Sequence, residues 1–239
     1  MGGEYQQYDS DYQRLSSKCY NRERIVATVL GDSHGVRLYL SLRDLLNHQP
    51  AGYRQFYLAP NASTGGARAT YLRHYVQDND RTDVVILWIQ GNDLDEVYPG
   101  RMWHSNRAKE AYVRGQLVRG IFRIFLELTM IHRKTVYVMF CPSRFRLRYA
   151  VPQRYNIMVR RLNNQIRKFI KSRCIILPDE CYSRPAFCRD YVHLRPEVYD
   201  QLAVQVLQYI RYDMYYIRTR PAQILRRIQN WMTRPGQQY

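Results

Sequence analysis

Ile25-Val26-Ala27-Thr28-Val29-Leu30-Gly31-Asp32-Ser33 is an uncharged apolar run closed by three small or polar residues, and its reading decides the fold. Its length and β-branched content predict a strand buried within a sheet. The reading places the Ser33 hydroxyl on the loop leaving that strand, where α/β enzymes carry reactive groups. The same arrangement recurs downstream. Gln55-Phe56-Tyr57-Leu58 precedes Asn61-Ala62-Ser63-Thr64-Gly65-Gly66, and Asp83-Val84-Val85-Ile86-Leu87-Trp88-Ile89 precedes Gly91-Asn92-Asp93. Strands are predicted near 25–31, 55–59, 83–90, 135–141 and 174–177, with helices between them. Such alternation predicts an α/β layered fold around a parallel sheet. A fourth block, Asp190-Tyr191-Val192-His193, lies just before Pro196, which opens a helical stretch with Val198, Leu202, Val206 and Ile210 on one face.

A lone Gly-Asp-Ser or Gly-Asn-Asp triplet usually makes only a turn. The four blocks in this order carry more, and together they resemble the SGNH hydrolase superfamily, the GDSL esterases and lipases, over residues 21–212. The resemblance implies a three-layer α/β/α sandwich with a central parallel sheet, the flavodoxin-like SGNH hydrolase fold. It implies a nucleophile at Ser33, a base at His193 and an orienting carboxylate at Asp190. It also implies oxyanion donors from the Ser33 N–H, from the Asn92 side chain and from a glycine N–H, which is Gly66 with Gly65 as the alternative. One departure is visible: the third block usually reads Gly-x-Asn-Asp, whereas here Gln90 holds the glycine position and Gly91 directly precedes Asn92.

These residue types suit acyl transfer. A serine hydroxyl needs a neighbouring base to become a useful nucleophile and needs that base again to protonate the departing alkoxide. A carboxylate fixes the imidazole tautomer. Preorganised N–H donors meet the oxyanion, and loss of one typically lowers the rate about 100 to 1000-fold. Each residue also has a plainer reading: Ser33 as a turn or helix cap, His193 as a packed histidine, Asp190 as a loop acid. His34 reads as a local structural or substrate-contacting residue, and Asp93, Asp95 and Glu96 as caps of a following helix. Cys181, Cys188 and His193 lack zinc-like pairing, so neither a metal nor a cofactor is expected.

Charge is the second signal. The 239-residue chain has 37 basic and 20 acidic residues, a formal net charge of +17, and 32 of the basic residues are arginines. Arginine favours bidentate phosphate contacts. From Ser143 to Arg173 there are ten basic residues and no acid, and a predicted helix there turns Met158, Leu162, Ile166 and Phe169 inward. Arg160, Arg161, Arg167, Lys168 and Lys171 then form an outer face that reads either as a polyanion-binding surface or as a solvated helix face. From Met214 onward there are five arginines and no acid, with Ile224, Leu225, Ile228, Trp231 and Met232 on one helical stripe that could dock on the core, lie on an anionic membrane or hold RNA.

The organisation expected is a polar tail at 1–20, the hydrolase domain at 21–212 and a basic amphipathic extension at 213–239. No signal peptide or membrane span is read. Five irregularly spaced cysteines, Cys19, Cys141, Cys174, Cys181 and Cys188, suit reduced thiols, so a cytoplasmic or nuclear setting is expected. The arginine-rich chain also resembles SGNH domains found in some retroelement-encoded proteins. Three function classes follow: a serine esterase acting on an acyl or acetyl ester, an SGNH-fold nucleic-acid-binding module with weak or lost esterase activity, and a lipid-acting enzyme at an anionic membrane surface.

Overall fold

Strands β1 (Ile25–Gly31), β2 (Phe56–Leu58), β3 (Val84–Trp88), β4 (Thr135–Met139) and β5 (Cys174–Ile175) form one parallel sheet in the order β2-β1-β3-β4-β5. The computed structural model describes residues 24–48, 53–69, 82–96, 106–147, 152–170, 173–216 and 221–232. The expected tail at 1–20, Cys19 and Lys171 lie outside the described residues. All five strands fall where the sequence predicts them, and the two edge strands are the shortest. Every residue of β3 is buried, as a strand covered by helices on both faces requires.

Helices α1 (Ser33–Asn47), α2 (Gly91–Glu96), α3 (Asn106–Leu126), α4 (Pro152–Ile170), α5 (Pro196–Tyr216) and α6 (Pro221–Met232) flank the sheet. α1 packs on α5, while α3, α4 and α6 pack on one another, giving an α/β/α layering. The order of strands reverses at β1, whose neighbours are β2 and β3. The crevice beyond the carboxyl ends of β1 and β3 is therefore the switch point at which such sheets bind ligands. Gly31 lies opposite Trp88 at this end of the sheet, and a Cβ there would sit 2.9 Å from the Trp88 carbonyl carbon, so only glycine lets the two backbones meet.

α6 docks on the core rather than standing free. Ile224, Ile228 and Trp231 are buried, and the Trp231 ring meets Phe122 of α3 edge-on at 5.3 Å and lies 5.6 Å from Phe169 of α4. The side chain of Leu225, read as part of the same stripe, lies outside the described residues. The basic run between β4 and β5 divides. Arg160, Arg161, Arg167 and Lys168 are exposed on α4, whereas Arg144 and Arg173 are buried. Arg173 is held by a buried ion pair with Asp213, 3.4 Å away, whose carboxylate also accepts the Tyr137 hydroxyl at 2.6 Å. Arg144 belongs to the site described next. Among the described residues no helix is long and apolar enough to cross a membrane.

Candidate active site

β1 ends at Gly31, and Asp32 caps the helix that follows. Its carboxylate accepts the His34 N–H at 2.9 Å. Ser33 is therefore the first residue of α1 and not a loop residue, because the Asp32 cap starts the helix one position earlier than a reading from turn residues suggests. Among the described residues nothing in the chain accepts the Ser33 N–H, which leaves it facing out of the positive end of a 15-residue helix. Gly35 completes this turn: a Cβ there would lie 2.6 Å from the Ser63 hydroxyl, which donates to the Val29 carbonyl at 2.9 Å.

The Asp190–His193 segment sits on the tip of a small hairpin closed by a Phe187–Leu194 bridge. One Asp190 oxygen accepts the N–H groups of Val192 and His193, at 2.9 and 3.0 Å, and so closes the turn. Its other oxygen lies 2.7 Å from His193 Nδ1. Tyr191 takes a positive φ of 56°, a conformation disfavoured for a side chain of this size, and its carbonyl is held by the N–H groups of Phe145 and Arg146. Desolvation pushes the Asp190 carboxyl up, but the His193 ring and the two backbone N–H groups outweigh it and hold it at about 2, so it is ionised at neutral pH. His193 Nε2 lies 2.9 Å from Ser33 Oγ, across 160 residues of sequence. Ser33, His193 and Asp190 thus form one continuous hydrogen-bonded line.

The loop after β2 reaches the same crevice. The Thr64 N–H donates to the Gly31 carbonyl at 2.9 Å, and Gly66 adopts a φ of 79° that suits glycine alone. Among the described residues neither the Gly65 nor the Gly66 N–H has an acceptor in the chain, so both alternatives from the sequence stay open as donors. The third block clamps this loop: Asn92 Nδ2 donates to the Ala67 carbonyl at 3.2 Å, and Asp93 accepts the Ala69 N–H at 3.0 Å. Burial, reinforced by the Asp32 charge, raises the Asp93 carboxyl to about 7. Gln90 turns away from the crevice, and its Nε2 donates to the Met139 carbonyl at 2.8 Å.

Two contributors, Arg144 and Tyr199, were not legible as site residues, whereas the sequence reads His34 as a local structural or substrate-contacting residue. Arg144, 3% exposed, donates from Nη2 to Asn92 Oδ1 at 3.2 Å; burial raises the Asp32 carboxyl, and the Arg144 charge partly opposes that rise. Tyr199 of α5 places its hydroxyl 2.7 Å from His34 Nδ1. His34 is buried between Trp88, His193 and Tyr199, with ring centroids 5.2, 5.4 and 6.1 Å away. Burial, then the nearby Arg144 and His193, push its pKa well below the usual histidine range, so it is neutral and acts as a structural link. The only sequence signal for Arg144 and Tyr199 was position just after β4 and early in α5. Of the arginines near the motifs, Arg189 and Arg195 are exposed and Arg37 and Arg68 half-buried.

No protein-family model and no curated protein sequence matches the chain. Solved structures do. The acetylxylan esterase Axe2 from Geobacillus stearothermophilus superposes with a TM-score of 0.58 at 16% identity, covering 81% of this chain and 97% of its own. The lipase Lip_vut3 from a goat rumen metagenome gives 0.59 at 13% identity, covering 77% and 97%. The acetyl xylan esterase AlAXEase gives 0.52 at 16%, covering 78% and 100%. At these identities the likeness speaks for the fold, and it agrees with the sheet order and the crevice at its switch point: the chain has the SGNH hydrolase fold.

Proposed function

We propose that the chain is a serine esterase that hydrolyses an acyl or acetyl ester. The observation that carries this is the line from Ser33 Oγ to His193 Nε2, 2.9 Å, and from His193 Nδ1 to Asp190, 2.7 Å. In this reading Ser33 Oγ attacks the ester carbonyl while His193 takes its proton. The oxyanion is met by the N–H groups of Ser33 and Gly66, or Gly65, and by Asn92 Nδ2. His193 returns the proton to the departing alkoxide, leaving an acyl-serine, and then deprotonates the water that releases the acid. Ionised Asp190 keeps the Nδ1 proton in place and stabilises the imidazolium. Structural likeness to acetylxylan esterases and a lipase supports an ester substrate. The test is turnover of p-nitrophenyl acetate by wild type and Ser33→Ala: a folded Ser33→Ala protein without turnover is expected, and comparable turnover by both removes Ser33 from the nucleophile role.

A second reading, a nucleic-acid-binding face, is favoured by the exposed side of α4, where Arg154, Arg160, Arg161, Arg167 and Lys168 stand on a helix that contains no acid. α6, packed beside it, adds exposed Arg226 and Arg227. A membrane-surface helix needs an apolar stripe to insert. The stripes of α4 and α6 are buried in the core, which favours a phosphate backbone over a lipid surface. Binding of a labelled oligouridylate should lose affinity with salt, and replacing Arg160, Arg161, Arg167 and Lys168 with Gln should reduce the log–log slope by about 0.7 per lost phosphate contact. Replacing exposed Arg24, Arg43, Arg54 and Arg133 instead lowers net charge equally and should leave the slope largely intact. Equal effects of the two sets would reduce the face to bulk charge.

A further inference from the structure

We propose that Arg144 is a positioning residue that fixes and polarises the Asn92 amide as an oxyanion donor; this rests on the esterase reading above. An asparagine amide can turn over and present either its oxygen or its nitrogen to the crevice. Its two neighbours here decide which. A guanidinium is donor-only and a backbone carbonyl is acceptor-only. Of the two amide atoms, Arg144 Nη2 can therefore donate only to Asn92 Oδ1, at 3.2 Å, and the Ala67 carbonyl can accept only from Nδ2–H, also at 3.2 Å. One N–H of Nδ2 goes to Ala67, and the other remains for a substrate oxygen. A charge-assisted bond to Oδ1 also draws electron density from the amide and strengthens that remaining donor.

The surroundings hold the guanidinium in place. The Arg144 main chain is gripped from both sides by Asn156 of α4, which accepts its N–H at 3.1 Å and donates to its carbonyl at 3.3 Å. The Tyr155 ring lies 5.8 Å from the guanidinium carbon. A Cβ on residue 91 would stand 2.8 Å from that carbon and 3.1 Å from Nε. This accounts for the departure seen in the third sequence block: glycine stands at 91 because Arg144 lies against it, and Gln90 beside it has its side chain bonded to Met139 instead.

The test compares Arg144→Lys, Gly91→Ala, Asn92→Ala and the double variant Arg144→Lys/Asn92→Ala on p-nitrophenyl acetate, each checked for fold by circular dichroism. Lysine keeps the charge beside Asp32 but loses the planar fork. Expected for Arg144→Lys is a fall in kcat of about 10 to 100-fold with little change in KM, as for a misplaced catalytic group. Asn92→Ala should fall about 100 to 1000-fold, and the double variant should be no worse than Asn92→Ala alone. Gly91→Ala displaces the guanidinium without removing it and should mimic Arg144→Lys, which keeps the test open if Arg144→Lys does not fold. A purely structural role would multiply with Asn92→Ala, and that result, or wild-type kcat in both Arg144→Lys and Gly91→Ala, overturns the proposal. Serine-independent turnover, or wild-type kcat in Asn92→Ala, instead removes the esterase or oxyanion reading on which the proposal stands.

Discussion

Tyr199→Phe removes one oxygen atom from the interior and breaks the hydrogen bond between α5 and His34. The hydroxyl lies 2.7 Å from His34 Nδ1, so it ties the residue after Ser33 to the helix that follows His193. His34 is neutral and buried. If the hydroxyl donates to Nδ1, a single N–H at His34 Nε2 is left over; the opposite tautomer leaves the hydroxyl proton as well as a ring nitrogen without a partner. The first arrangement is therefore the better satisfied. Phenylalanine fills the same space but leaves His34 Nδ1 unpaired in a buried setting. Such a group costs about 1–3 kcal/mol, and a loss of that size is expected. For a domain of this size that is a fall in Tm of about 2–12 °C. The assay is urea unfolding of Tyr199→Phe, His34→Leu and the double variant. The two single losses should overlap, the double variant losing clearly less than their sum. A loss below about 0.5 kcal/mol for Tyr199→Phe, within the range of ordinary surface changes, would refute the link.

Asp93 makes stability depend on pH. Its carboxyl titrates near 7 when folded, against 3.8 as its ordinary value, so between those limits the folded state holds a proton the unfolded state has released. Stability should therefore fall as pH rises from about 4 to about 7 and stay lowered above that; Asp93→Asn should flatten this slope, measured as unfolding midpoints across the window, and an unchanged slope would refute the assignment. Trp231→Ala should cost about 3–5 kcal/mol, because the ring is buried between Phe122 and Phe169, and a negligible change in calorimetric Tm would mean that α6 does not stabilise the core.

The amino-acid sequence alone determined the five strands, since each is a short β-branched or apolar run whose burial follows from its composition, as in Ile25–Gly31 and Val84–Trp88. It also marked Ser33, Asn92, Asp190 and His193, because motif residues in the loops after strands repeat in a recognisable order. It did not reveal that Ser33 opens a helix, since the capping bond from Asp32 competes with an equally plausible turn. Nor could it separate Arg144 and Arg173 from the exposed arginines around them. An arginine's chemistry is the same in every setting, and only the fold supplies Asp32 and Asn92 to one and Asp213 to the other. The same holds for α6: its apolar stripe was legible, but whether it met core, lipid or nucleic acid depended on Phe122 and Phe169 standing beside it. Local pattern is written in neighbouring residues, whereas partners distant in sequence exist only once the chain has closed around them.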